Sequence, residues 1–389
     1  MSALAGLRVL DFSRFLPGPY CTWLLADQGA EVIRVENPRE LAKQAKVFGW
    51  DKLDDAGRAA IRARDILARG KKSITLDIGS SQGRAALLKL GESVDVVVED
   101  YRPGVLAGLG LGHDDFAAVN PKVITTSLTL CGQTGPYRDK PGHDPVALAI
   151  AGVLARCGEN PDAPGMPGIP AADVTTGSHA AFATLAALRH ADNTGRGQHV
   201  DVSMTDCALG LLVNLYSRHP DPDSAPPRGT RRNDLGIWQC ADGKWLVTTD
   251  MEPRYWQTFC TVMGRADFIP RQLDRSAAGE MRNHFAAKFA EKPREVWIER
   301  LAAAGTQFAP INSPSEALRD PHLIARGAVM TVTGPDGAAL TQIGPPVRLG
   351  AHPVPHHAVA PGAHNDEILT ALGYAPTGLD TTTTGAENP

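Results

Sequence analysis

The chain has 389 residues, 43% of them hydrophobic, with 39 basic against 43 acidic residues and a formal net charge of −4. That length suits roughly two or three domains with a substantial core, and the near-balance of charge leaves no broad electropositive face for nucleic acid. Six Cys, at 21, 131, 157, 207, 240 and 260, make no CxxC pair and no compact Cys/His pattern, so neither a disulfide framework nor a metal site is expected, and a reduced cytoplasmic setting is. The opening MSALAGLRVLDFS carries charge early and lacks a secretory apolar region. The apolar run at 206–216 is too short to span a bilayer, so no membrane association is expected.

In chain order, residues 7–11 read as a strand. Pro17-Gly18-Pro19 reads as a turn, 20–29 as a helix stopped by Gly29, and 31–36 as a second strand. This is a βαβ unit. Strands at 73–78, 94–99 and 123–130 alternate with helices at 82–90, 105–109 and 114–120. The alternation predicts an α/β fold with a mostly parallel sheet covered on both faces. Residues 158–170, rich in Gly and Pro, read as a surface loop. Residues 172–191 form a small-residue helix able to pack closely, followed by a strand at 199–203 and a helix at 204–215. Pro and charge accumulate at 217–233, the best linker. Beyond it a hairpin turns at Asp242-Gly243, and helices follow at 254–262, 279–289 and 293–303 in a smaller α+β unit. A strand returns at 329–334, and the Thr-rich end after 376 reads as frayed.

No Gly-x-Gly-x-x-Gly follows the first strand, and no Walker-type loop is present, which disfavours dinucleotide and nucleotide triphosphate enzymes. Two motifs stand out instead: Gly142-His143-Asp144 and Ala171-Ala172-Asp173. A His and an Asp set among small residues can flank one carbon acid, and Glu252 of Met251-Glu252-Pro253 can support the His. The same Asp173 can instead attack an acyl group. The plainer readings are a helix cap for Asp173, a turn-bonding role for His143 and a helix start for Glu252 before Pro253. Asp144 reads as structural; His113, His179 and His199 read as solvent-facing or packing residues; Lys71-Lys72 reads as wet surface.

The stretches LRVLDFSRFLPGPYCTWLLADQGAEVIRVE, KKSITLD, VEDYRPGV, LGLGHDDFAAVNPKVI, GQTGPYRDKPGHD, PAADVTTG, TGRGQHVDVSM and INSPSEALRDPHLIARG occur in this order. Together they resemble the class III CoA-transferase superfamily, which also contains the α-methylacyl-CoA racemases. The resemblance runs from residue 4 to about 372. It implies a Rossmann-like large domain built from both chain ends, a smaller inserted α+β domain, and an interlocked homodimer. The corresponding division is 1–216 for the first part of the CoA-binding domain, 217–233 for the linker, 234–325 for the small domain, 326–376 for the return and 377–389 for the tail. His143, where transferases usually carry an aromatic residue, together with Asp173 and Glu252, resembles the racemase branch. The 158–170 loop is closer to the transferase style.

On this resemblance the expected substrate is an acyl-CoA, and the CoA moiety it carries is the only cofactor. His143 and Asp173 would exchange the α-proton through an enolate. A His suits that task because its ordinary pKa is ~6.5, whereas an Asp, ordinarily ~3.9, must be raised by burial. Backbone donors at the start of the helix carrying Asp173 would support developing negative charge. Arg102 is the expected phosphate contact because its fork matches phosphate oxygens, with Arg138 a lesser one. Relatives also place Arg14, Phe15, Leu16 and Pro17, and residues around Leu76 and Val98, near the nucleotide. Where relatives carry a basic residue after the second strand this chain has Asn37, with Arg39 as the compensating cation. The alternative activity is CoA transfer to a carboxylic acid through an acyl-aspartyl anhydride at Asp173. A CoA-binding protein without turnover is a third class, disfavoured by the intact Asp173 motif.

Overall fold

In the computed structural model, residues 2–158, 163–225, 232–350 and 356–374 are described. Residue packing separates two compact units: the chain up to Ser217 together with the chain from Ala325, and Arg218–Ile324.

The first unit runs β1 (Arg8–Asp11), α1 (Pro17–Asp27), β2 (Glu31–Glu36), α2 (Pro38–Phe48), α3 (Asp55–Ala63), β3 (Lys72–Thr75), α4 (Ser81–Gly91) and β4 (Val96–Glu99). It continues through α5 (Val105–Gly108), α6 (His113–Val119), β5 (Ile124–Thr129), α7 (Asp144–Ile150), α8 (Ala171–Thr194), β6 (His199–Ser203), α9 (Met204–Gly210) and α10 (Val213–Arg218). The six strands form one parallel sheet in the order β3-β2-β1-β4-β5-β6. Successive side chains of a strand point to opposite faces. Thus Val9, Val32 and Val98 join a core with Leu25, Ala180 and Ala187, while Leu10, Ile33 and Val97 join another with Leu87 and Phe116. Both faces are covered, which is why these strands read as unbroken apolar runs. The sequence order reverses between β1 and β4, so the loops leaving their carboxyl ends part and open a crevice.

Helix α1 starts at Pro17, whose missing N–H would have no helical partner in any case. It packs on α8, where a side chain at Gly177 would bring Cβ within 2.6 Å of the Pro17 carbonyl oxygen and 2.9 Å of the Tyr20 ring. The helix expected at 204–215 is two helices. The amides of Leu211 and Leu212 bond three residues back, to Ala208 and Leu209, and pinch the chain between α9 and α10. Lys71 and Lys72 are not the wet pair expected. Lys71 is buried, its Nζ 3.0 Å from the Asp11 carboxylate and donating to the Pro19 carbonyl at 3.1 Å. Burial holds its pKa below the usual lysine range, against the pull of Asp11. Lys72 alternates outward and meets Glu31 and Glu367.

The second unit contains β7 (Leu235–Gln239), β8 (Trp245–Thr249), α11 (Pro253–Val262), α12 (Ala278–Phe289), α13 (Arg294–Ala304), β9 (Phe308–Ile311), α14 (Pro314–Ala317) and α15 (Pro321–Ala325). The last helix ends just inside the first unit. Strands β7, β8 and β9 form an antiparallel sheet. Its core is aromatic: Trp238 stacks on Phe289 with centroids 5.6 Å apart and meets Phe285 edge-on.

The chain then forms the hairpin β10 (Val329–Thr333) and β11 (Ala339–Ile343), and α16 (Asn365–Ala371). Ile368 and Leu369 of α16 enter the core of the first unit. Of the expected linker, Ser217 and Arg218 close α10 and 226–231 lie outside the described residues, as do 159–162 of the loop expected at 158–170, 351–355 and 375–376 of the return, and the tail 377–389. No helix among the described residues is long and apolar enough to cross a membrane.

Candidate active site

The crevice at the β1/β4 switch point is an open cavity of about 420 Å³. Its walls are Arg14, Phe15 and Pro17 after β1, Asp100 to Pro103 after β4, the end of β5, the loop carrying Arg138, Lys140 and His143, and Asp173 of α8. The cavity therefore brings together His143, Asp173, Arg14, Phe15, Pro17, Arg102 and Arg138 of the expected site.

His143 immediately precedes α7, in extended backbone, and its carbonyl accepts the Val146 amide at 2.8 Å. Its exposed ring meets Phe15 edge-on with centroids 5.8 Å apart. At Gly142 a Cβ would lie 2.8 Å from both Leu130 Cδ2 and Val146 Cβ. Close packing thus excludes a side chain directly before the imidazole.

Asp173 is the third residue of α8, not its cap; Pro170 holds the capping position without a side-chain hydrogen bond. The backbone donors at this helix start are not available to a substrate. Asp144 Oδ1 accepts the amides of Ala172 at 2.6 Å and Asp173 at 3.1 Å, and the Val174 amide bonds to the Pro170 carbonyl. Asp144 is buried and adjoins His143, so one carboxylate ties the segment bearing the imidazole to the segment bearing Asp173. Burial, then the charges of Asp144 and Asp100, push Asp173 up to about 6. The raised affinity for a proton is the property the chemistry of an acid–base Asp requires.

The cations differ in how firmly they are held. Arg102 is exposed at the rim. Arg138 donates to the Gln133 carbonyl at 3.0 Å and pairs with Asp139 at 2.9 Å. Arg14 lies 3.8 Å over the Tyr101 ring. Lys140, not singled out in the sequence, also lines the cavity.

Other expected contacts lie elsewhere. Arg39 pairs with Asp77 at 3.1 Å and does not line the cavity, while Asn37 caps α2 by accepting the Arg39 amide at 3.0 Å. The side chains of Leu76 and Val98 are buried in the two cores on either side of the sheet, and Leu16, just before α1, gives its carbonyl to the Tyr20 amide. None of these three lines the cavity. Glu252 belongs to the second unit, at the capping position of α11, beside an open concavity formed with Thr249, Met251 and Gln307. His113 and His199 stack with centroids 5.9 Å apart, bonded to Thr125 and Ser127, and His179 is exposed. Among the described residues no group of three or more His, Cys, Asp or Glu is placed to hold a metal ion.

The family model for CoA-transferase family III matches residues 4–367. Succinyl-CoA–D-citramalate CoA-transferase of Chloroflexus aurantiacus is 32% identical, over 95% of this chain and 94% of its own. Alpha-methylacyl-CoA racemase of Homo sapiens is 29% identical, over 96% of this chain and 94% of its own. The crystal structure of a CaiB/BaiF family protein from Brucella suis is similar with a TM-score of 0.82 at 28% identity, covering 95% of this chain and 99% of that one. A site at the switch point of a parallel sheet, a family model spanning nearly the whole chain and a shared fold converge: the chain belongs to CoA-transferase family III.

Proposed function

We propose that the protein is a racemase or epimerase of 2-methyl-branched acyl-CoA thioesters. The observation that carries this reading is the shared cavity of His143 and Asp173, with Asp173 raised to about 6. One group removes the proton beside the thioester carbonyl, and the electron pair moves into an enolate. The other group returns a proton to the opposite face, so the two exchange protonation states in each turnover. An Asp near 6 exchanges protons close to neutral pH far more readily than an ordinary Asp. Arg14, Arg102, Arg138 and Lys140 supply the positive rim for the CoA phosphates. CoA enters as part of the substrate, and the assembly is a homodimer.

A second reading is CoA transfer, favoured by relatives described as CoA-transferases. There the Asp173 carboxylate attacks the thioester carbonyl, the C–S bond breaks, CoA leaves as its thiolate, and an acyl-aspartyl anhydride remains for the acceptor acid. Incubation in deuterated water without a carboxylic acid acceptor separates the two. Racemisation gives α-deuterated thioester, transfer gives none and depends strictly on an added acid. His143→Ala is expected to slow exchange by about a hundredfold while CoA affinity is retained; full exchange in that variant rules out its role.

A further inference from the structure

The Asp100 carboxylate exchanges no proton in the steps above, although its charge helps to raise Asp173, and it lines the same cavity with only 4% of its side chain exposed. Its Oδ2 accepts the backbone amides of Arg14 at 2.8 Å and Phe15 at 3.2 Å, and its Oδ1 faces Arg14 Nε at 3.4 Å. A buried carboxylate aimed at two consecutive amides acts as a clamp, because each amide needs an acceptor and a charged one bonds strongly. The clamp joins the loop after β1 to the end of β4 across the switch point. Lys71 ties the two elements that flank this loop, bonding the Asp11 carboxylate at the end of β1 and the Pro19 carbonyl in the first turn of α1.

What the clamp fixes is functional surface. The Phe15 side chain is 57% exposed and has little packing of its own to hold it. Its ring nevertheless stands edge-on against His143, and the neighbouring Arg14 guanidinium carbon lies 3.8 Å from the centre of the Tyr101 ring. We propose that Asp100 is a positioning residue: by accepting the Arg14 and Phe15 amides it presets the wall of the cavity that an acyl-CoA meets. This role rests on the acyl-CoA reading of the site. Ordering a loop before the ligand arrives removes that ordering from the free energy of binding, so its loss appears in affinity more than in the chemical step.

The test is calorimetric titration of the full chain with free coenzyme A, paired with steady-state turnover. Asp100→Ala is expected to bind coenzyme A about tenfold more weakly, whatever its kcat, since the Asp100 charge also helps to raise Asp173. Asp100→Asn, whose side-chain oxygen can accept the same two amides, is expected to recover most of the affinity. Should Asp100→Ala not fold, Asp100→Ser, too short to reach both amides, takes its place with the same expected loss. Wild-type affinity in the Ala or Ser variant overturns the proposal, as does an Asn variant as weak as Ala, or a loss confined to kcat. A wild-type protein that binds no coenzyme A overturns the acyl-CoA reading itself and this role with it, an outcome distinct from all the others.

Discussion

At Asp173 burial acts first and two neighbouring carboxylates add to it, so the folded chain holds this proton up to about 6, against an ordinary value of 3.8. Between those values the native state binds more protons than the unfolded chain, and stability therefore falls as pH rises through that window. The contribution is fullest below the unfolded value and lost above the folded one. Asp173→Asn removes the ionising group while keeping its shape. We expect its Tm to exceed that of wild type at pH 7.5 and to converge with it below pH 4, while turnover drops by about a hundredfold or more. Scanning calorimetry at both pH values is the check; a lower Tm at pH 7.5 would show that the ionised carboxylate is stabilising. His143 and Asp173 were legible because each stands out as a polar group among small residues. Asp144 reads as structural from the sequence, but its target does not show there, since its amide partners lie 28 and 29 residues away and nothing local marks them. Lys71 misled for a related reason: two adjacent lysines look alike in sequence, and strand alternation sends one in and one out.

On the scale of elements, the contact between α1 and α8 sets the floor of the site, because α1 begins at Pro17 and α8 carries Asp173. Gly177 decides how closely they approach. As a helical residue Ala is better than Gly by about 1 kcal/mol, so propensity alone predicts that Gly177→Ala stabilises. The 2.6 Å approach to the Pro17 carbonyl predicts the reverse, since backbone cannot turn away as a side chain can, and overpacking costs about 1–3 kcal/mol. Gly177→Ala is thus expected to destabilise by about 1 kcal/mol and Gly177→Val by more, measured by urea unfolding, with KM raised because Pro17 lines the cavity. The existence of α8 was plain from its small residues. The small-residue run predicts an end at 191, whereas the helix continues to Thr194, where Gly195, at φ 73°, stops it. Between 37 and 72 the sequence predicts no element where the structure has α2 and α3, and no breaker beyond Gly210 marks the split at Leu211–Leu212.

Across the whole molecule, the parallel sheet was legible from local alternation, whereas the return of the chain to the first unit rested on resemblance alone. The contacts that secure it join residues hundreds of positions apart, which no local pattern encodes. The His364 amide donates to the Ser73 carbonyl at 2.9 Å, and Asn365 accepts the Thr75 amide, so the start of α16 covers the edge of β3. Arg69 secures the β10–β11 hairpin. Fully buried, it pairs with Asp27 at 2.6 Å and donates to Gln342 Oε1 at 3.0 Å and the Ile343 carbonyl at 2.7 Å. Gln342 in turn donates to the Ala63 carbonyl. Arg69→Met keeps apolar bulk but removes the cation, and with it one partner of Asp27 and the donor to two hairpin acceptors. Breaking a buried pair from one side costs about 3–5 kcal/mol. The loss should be local first, because the hairpin hangs on these bonds while the sheet has its two apolar cores. Hydrogen exchange of Arg69→Met is therefore expected to show β10 and β11 amides losing protection while β1 and β4 amides keep more of theirs. Uniform loss across both groups would mean that the return is held as one cooperative block with the sheet and that Arg69 is not its local anchor.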